Sequence, residues 1–386
     1  MKNLLIVKMS ALGDVVMSLP ALMALKKSFP ELAVDWLVEP PAAGLINGHP
    51  LLNRVIVSPR KKLSALIKSG RLIGAKRLWS GFSGELKAVE YDVVLDLQGL
   101  VKSAAMVRLA RGRRKVGFAK TREHSGWALN EKMPAYDPER HAALRYLDAA
   151  AYLGAEVSET PPGRYYQPSE EAAAEARRLI GEKPCLAPTG ALGRSGVGDC
   201  PAVSAGPGQA SAGYLVLNPG AKWETKRWPL TAWKDLAAAL AGRCDLDMVI
   251  TGGSEDGEMG RAITEAVPGR VLNLCGRTSL PVLASVLEKA AMTITGDTGP
   301  MHLAAAVGGG GLAIFGPTRP WRTGPFGGHF QILTPPRDCL GCLKKKCGLG
   351  CLGSLTVNEV LAAALEYLGR ARPSHAPKGP YKGRLI

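Results

Sequence analysis

MTITGDTGPMHLAAAVGGGGLAIFGPTR, residues 292–319, decides the fold. Residues 292–295 are a short run rich in β-branched and apolar types, Gly296, Asp297, Thr298, Gly299 and Pro300 break it, and residues 301–307 read as a helix. A second strand is expected over 312–315, after four glycines, and it ends in Gly316-Pro317-Thr318. Two buried strands therefore deliver two tight loops to one edge of a parallel sheet, which is where α/β folds bind ligands.

The chemistry offered at that edge is specific. Free backbone N–H groups at the start of the 301–307 helix can receive a diphosphate, and Gly299 lets the backbone approach it closely. Asp297 adds a carboxylate for hydroxyl groups, and His302 a ring nitrogen. An Asp or Thr before a helix is also an ordinary N-terminal cap, so the loop alone leaves both readings open.

The same grammar recurs from the N-terminus. Residues 4–7 are an apolar run, Ser10-Ala11-Leu12-Gly13-Asp14 is a turn, and Val15, Val16, Leu19, Leu22 and Leu25 recur at helical spacing. On the residues alone Asp14 reads first as a carboxylate that favours the helix dipole. No GxGxxG follows this strand, so a dinucleotide fingerprint is not supported. Further strands are expected over 34–38, 55–57 and 93–97, which makes the first half one α/β unit. In the second half, strands over 214–217 and 248–251 are each followed by a loop. The first of these loops carries Lys226 and Arg227, either able to neutralise a leaving diphosphate, and the second carries Glu255, able to accept hydrogen bonds from ribose hydroxyls.

At 386 residues the chain has room for two domains. A formal net charge of +16 points to an anionic partner: nucleic acid, an acidic membrane surface or a phosphorylated substrate. Residues 60–77 and 102–122 are rich in Lys and Arg and hold no acid, which makes a phosphate-binding surface on the first domain. Aromatic residues are sparse between these cations, so base stacking on single strands is poorly supported. Lys8 and Asp14 interrupt the apolar start, which reads as a strand and not as a signal peptide. The longest uncharged window, 298–318, carries His302, two prolines and many glycines and makes a poor membrane span. The expectation is a cytoplasmic protein, peripheral at most.

In combination, IVKMSALGDVVMSLPAL near the start, LDLQGLVKSA at 95–104, the Lys226-Arg227-Trp228-Pro229 loop and GDTGPMHLAAA followed by IFGPT resemble the lipopolysaccharide heptosyltransferases of glycosyltransferase family 9, most like the type I enzymes. The resemblance runs from residue 1 to about 335. It implies an α/β fold of GT-B architecture, two Rossmann-like domains facing across a cleft. The expected divisions are an acceptor-binding domain at 1–183, a flexible linker or insertion at 184–213, a nucleotide-sugar domain at 214–355, a helix at 356–371 packing back toward the first domain, and a basic flexible tail at 372–386. It makes Asp14 the general base. Gly13, Lys226, Glu255, Asp297, Thr298, Gly299 and His302 become donor-binding residues, and Arg60, Lys61 and Arg122 acceptor-binding residues. The implied donor is ADP-heptose and the implied acceptor a Kdo residue of Kdo-lipid A, met at the anionic inner face of the inner membrane, with no nucleic acid expected. Inverting transfer needs one base and a stabilised leaving group, and no metal or other cofactor. Pro300, the 184–213 insertion and the basic tail depart from the family's pattern.

Two other features remain. Asp245-Leu246-Asp247 resembles a metal-binding DxD only superficially, since it precedes a strand. Cys339, Cys342, Cys347 and Cys351 have spacings that would suit a structural zinc or an iron–sulfur cluster. Other readings stay open: a family 9 transferase with another nucleotide sugar or acceptor, an epimerase of the same fold, which would leave the basic first domain unexplained, and a nucleic-acid-binding protein with a cysteine knuckle.

Overall fold

A computed structural model describes residues 1–121, 123–181, 213–348 and 350–369. Arg122, most of the expected linker and the expected basic tail lie outside the described residues.

The chain divides into two compact units, Met1–Glu159 and Thr160–Ile386. In the first, six parallel strands, β1 (Asn3–Val7), β2 (Ala33–Val38), β3 (Arg54–Val57), β4 (Tyr91–Asp96), β5 (Gly112–Phe118) and β6 (Glu131–Met133), lie in the order β3-β2-β1-β4-β5-β6. The helices between and after them are α1 (Leu12–Ser28), α2 (Pro40–Ile46), α3 (Arg60–Lys68), α4 (Leu72–Lys87), α5 (Val101–Leu109) and α6 (Ala142–Tyr152). The central strands are apolar nearly throughout because helices cover both faces of a parallel sheet. Leu5, Val7, Leu37, Tyr91 and Val94 pack with Phe82, Leu86, Ala104 and Val107 in one core. Val7 of β1 pairs with both Leu37 and Asp96, so the strand ends that carry the loops are level.

The second unit opens with α7 (Glu170–Gly181) and continues through β7 (Tyr214–Asn218), α8 (Leu230–Arg243), β8 (Asp247–Ile250), α9 (Gly257–Ala266), β9 (Val271–Asn273), α10 (Leu280–Lys289), β10 (Met292–Gly296), α11 (Gly299–Ala306), β11 (Gly310–Ile314), α12 (Pro320–Thr323), β12 (His329–Leu333) and α13 (Val357–Gly369). Its strands run β12-β11-β10-β7-β8-β9, which is the same order as in the first unit when each sheet is numbered from its own first strand. Both are Rossmann-type sheets, with the switch point between β1 and β4 in one and between β7 and β10 in the other.

The expected boundary at 183 moves to Glu159, because α7 packs on α10 of the second unit. The ion pair from Arg164 to Glu288 (2.6 Å), together with backbone bonds from Tyr165 (2.8 Å) and Tyr166 (3.0 Å) to the Ala306 carbonyl, fastens the preceding segment there as well. The final helix α13, expected to pack toward the first domain, lies on α8 and β11 of its own unit. It buries Val360, Ala363, Ala364 and Leu368, with each large side chain contributing about 1.5–3 kcal/mol. The glycine run makes this docking possible. A side chain at Gly310 would strike Tyr367 and the His329 carbonyl, and one at Gly311 (φ +147) the Thr293 backbone. No helix of the described residues is long and apolar enough to cross a membrane.

Candidate active site

In the first unit, β1 ends at Val7 and the chain crosses its carboxyl edge to α1. Ala11 is the extended N-cap residue of α1, and its N–H donates to Asp14 Oδ2 (3.1 Å), so Asp14 at the third helical position satisfies an orphan donor of the helix start. Its other oxygen, Oδ1, accepts the Tyr146 hydroxyl from α6 (2.8 Å) and lies 3.7 Å from Lys8 Nζ. The Lys8 ammonium donates to the Leu97 carbonyl (3.2 Å) and stands 4.7 Å from the Tyr146 ring centroid. Burial pulls that ammonium below the usual lysine range, against the opposing pull of Asp14 and Asp96. Burial, then the charge of Asp14, holds the Tyr146 phenol well above its ordinary value, so it remains a donor. The Asp14 side chain is 36% exposed, and a proton can reach it from solvent or substrate.

The loop backbone is fixed from the β4 side. Gln98 Oε1 accepts both Met9 N–H (3.1 Å) and Ser10 N–H (3.0 Å), while buried Asp96 accepts Gln98 N–H, Gly99 N–H and the Ser103 hydroxyl. Beside it, Lys102 donates to Ser10 Oγ (2.6 Å) and Glu39 Oε1 (3.0 Å), and Arg60 to the same Glu39 oxygen (2.9 Å). Burial alone would raise the Glu39 carboxyl, but hydrogen bonds from Lys102 and Arg60 outweigh it and hold the group below the usual range. Arg60 is thus spoken for by Glu39, whereas Lys61 is exposed. Gly13, expected at the donor, is buried in the first turn of α1 in the first unit and is not among the loops of the second.

In the second unit Lys226, Asp297, Thr298, Gly299 and His302 of the expected donor set come together. Lys226, at the end of the short turn Glu224–Lys226, spans the switch point from the β7 side and donates to Asp297 Oδ2 (2.7 Å) and to the Asp297 carbonyl (3.3 Å) on the β10 side. Its ammonium also stands 4.7 Å from the Trp223 ring centroid. Asp297 is 7% exposed, with His302 Nε2 4.0 Å from Oδ1. Thr298 caps α11 in extended conformation, and its hydroxyl, like that of Thr295, lies 3.4 Å from Asn218 Oδ1. Pro300 occupies the second position of α11, where its missing N–H costs no helical bond. Arg227 turns away to the Ala221 carbonyl (2.7 Å) and Lys222 is exposed, while Lys226 is the cation of this loop that reaches Asp297.

Glu255 follows β8 and lines a pocket of about 540 Å³ with Ser254, Gly257, Glu258, Arg261 and Asn273. Gly276 (φ +72) allows the β9 loop to close against this wall, since a side chain there would strike the Ser254 backbone. Burial, then Asp256 and Glu255, pushes the neighbouring Cys275 thiol up to about 12, so it stays protonated.

The four cysteines of the cluster lie near one another: burial first, then Cys339, Cys342 and Cys347, raises the Cys351 thiol above its ordinary value. Among the described residues no three His, Cys, Asp or Glu side chains are arranged to hold a metal, the cysteines at 339, 342, 347 and 351 included. Left-handed backbone at Gly341 and Leu343, with their N–H groups bonded to the Gly316 (3.0 Å) and Pro317 (2.7 Å) carbonyls, pins the segment along the β11 loop. Asp247, in the DxD-like triplet, is buried in β8 and paired to Arg270 (2.6 Å).

Two Rossmann-type sheets, one presenting a reachable carboxylate and the other a lysine-clamped aspartate beside a helix N-terminus, fit a nucleotide-sugar enzyme of GT-B architecture. Residues 79–352 match the profile of glycosyltransferase family 9 (heptosyltransferase), and the chain belongs to that family. It is 31% identical over 349 residues to lipopolysaccharide heptosyltransferase 1 of Pseudomonas aeruginosa, covering 89% of this chain and 87% of the relative. Against lipopolysaccharide heptosyltransferase 1 of Escherichia coli it is 29% identical over 358 residues, covering 92% and 100%. Among solved structures, E. coli heptosyltransferase WaaC with ADP superposes with a TM-score of 0.72 at 27% identity, covering 95% of this chain and 99% of that one.

Proposed function

We propose that this protein transfers heptose from ADP-heptose to a Kdo residue of Kdo-lipid A in the lipopolysaccharide inner core, inverting the anomeric centre, and that it works as a cytoplasmic, peripheral protein at the inner face of the inner membrane. The observation that carries this reading is the Lys226–Asp297 pair across the β7/β10 switch point, beside the N-terminus of α11. Relatives named lipopolysaccharide heptosyltransferase 1, and the solution of the E. coli enzyme with both ADP and ADP-2-deoxy-2-fluoro heptose, support the choice of donor and pathway.

In the proposed step the acceptor hydroxyl attacks the anomeric carbon and the bond from that carbon to the ADP oxygen breaks. Asp14 takes the hydroxyl proton. Lys226, the first-turn N–H groups of α11 and His302 receive the charge that develops on the departing diphosphate. Asp297, fixed by Lys226, orients the sugar hydroxyls, and Glu255 holds the ribose at the mouth of its pocket. Lys61 and Arg122 remain the acceptor-side cations of this reading, with Arg60 acting through its pair to Glu39.

The test is ADP release from ADP-heptose by purified protein, with and without Kdo-lipid A, in the presence of a chelator. Acceptor-dependent release is expected. No release, or equal release without acceptor, overturns the assignment.

A further inference from the structure

The α3–α4 hairpin of the first unit carries apolar side chains where its own fold has no use for them. Helix α4 gives Ala75, Phe82 and Leu86 to the core, a stripe of one helical face, while α3 buries no residue at all. At the turn joining the helices, Ile67 is 52% exposed and Leu72 64%, and Ile73, on the far side of α4 from that stripe, 82%. Trp79, 37% exposed, lies seven residues from Leu72 on the same face of α4. The turn is built and not frayed. Gly70 (φ +71) reverses the chain, Arg71 N–H bonds to the Leu66 carbonyl (2.9 Å), and the Leu66 side chain packs over Gly74.

Charge identifies what covers this tip. Between residues 61 and 77 the chain holds Lys61, Lys62, Lys68, Arg71, Lys76 and Arg77 and no acid. A protein partner would meet this poorly, because lysine is depleted where apolar side chains enter a protein–protein interface. Apolar side chains ringed by long cationic ones suit a bilayer surface: the isoleucines and leucine enter the acyl boundary while ammonium and guanidinium groups reach lipid phosphates.

The base of the hairpin leads to the base of the reaction. Arg60, the first residue of α3, is paired to Glu39, which is paired to Lys102, which bonds Ser10 in the Asp14 loop. Helix α3 has nine residues, so about 13 Å separates that anchored end from the tip. We propose that the tip of this hairpin, Ile67, Leu72 and Ile73 with their flanking cations, docks the first unit on an anionic phospholipid bilayer and holds the Asp14 loop one short helix above the headgroups. The purpose of this docking rests on the proposed transfer to a lipid-borne acceptor; the docking itself rests on the hairpin.

The experiment is co-sedimentation with vesicles of phosphatidylglycerol and phosphatidylcholine, against phosphatidylcholine alone. Wild type is expected to partition onto the anionic vesicles and to leave them as salt is raised to about 0.5 M. Leu72→Glu with Ile73→Glu is expected to lower partitioning about tenfold or more, and the milder Ile73→Ser about threefold. The same variants are assayed on membrane-embedded acceptor and on a delipidated, water-soluble acceptor saccharide. Loss on the first with unchanged turnover on the second is expected, and that unchanged turnover also reports an intact fold. Unaltered vesicle binding in the glutamate variant, or equal loss on both acceptors, overturns the proposal. Hairpin-dependent vesicle binding by a protein that turns over neither acceptor leaves the docking standing and removes the transfer reading.

Discussion

The two units share one strand order and treat their key carboxylates in opposite ways. In the first, Asp14 follows β1; Gln98 takes the Met9 and Ser10 N–H groups from the β4 side, and buried Lys8, bonded to the Leu97 carbonyl, stands 3.7 Å from the carboxylate. In the second, Asp297 follows β10, and an ammonium, Lys226, clamps the carboxylate itself. The side chains are 36% and 7% exposed respectively. The proposed roles fit this difference: the carboxylate that would exchange a proton with substrate is reachable, and the one that would hold the sugar is buried against an ammonium.

Substitutions can break this contrast. Asp14→Asn is expected to lower kcat about 10³-fold, the range of a lost general base, with ADP affinity unchanged by calorimetry. An equal loss of ADP affinity would remove the distinction between the two carboxylates. Lys226→Ala is expected to cost about 10²-fold in turnover with a parallel loss of donor affinity, as for a removed charge-assisted contact. It also strands a buried carboxylate, so the melting temperature falls too. Adding Asp297→Asn restores that temperature and not the affinity, and a recovery of donor binding in the double variant would show that the clamp is structural only. Tyr146→Phe is the smallest and the sharpest: turnover drops a few-fold, about what one neutral hydrogen bond contributes. Its hydroxyl donates to the ionised form of Asp14, so its loss favours the protonated form and moves the acid limb of the kcat/KM profile to higher pH, with Lys8, Asp96 and Arg145, the residue before Tyr146 on α6, still in place. An unmoved limb would make Tyr146 a packing residue.

Residues 292–319 could be read correctly because everything that shapes β10, its loop and α11 is local: an apolar run, a turn and a helix start within a few residues. Strand β5 could not. Gly112–Phe118 carries Arg113, Arg114 and Lys115, and the sequence shows a basic run where the structure pairs Arg114 with Glu131 (2.7 Å) across to β6. Tyr146 lies 132 residues from Asp14, and no local pattern announces their bond. Lys8 and Lys102 were visible as cations, but only folding shows the first buried beneath Asp14 and the second holding Ser10. The spacing of the four cysteines fixes distance along the chain alone. The turns at Gly341 and Leu343, tied to the β11 loop, determine where the segment goes. Helix α7 shows the same limit: its amphipathic pattern says that it packs, and only α10 says on which sheet.

That allegiance matters to anyone dividing the gene. The stretch between α7 and β7 looks like the natural place to cut, yet both of its flanks belong to the same unit. A protease nick there is expected to free no domain, since α7 packs on α10 and buries Ala172, Ala176 and Leu179, and copurification of the two pieces would show it. The second unit made on its own is expected to need a start at Thr160; begun at 184, it lacks α7 and leaves the part of α10 that α7 covers facing water, which invites aggregation.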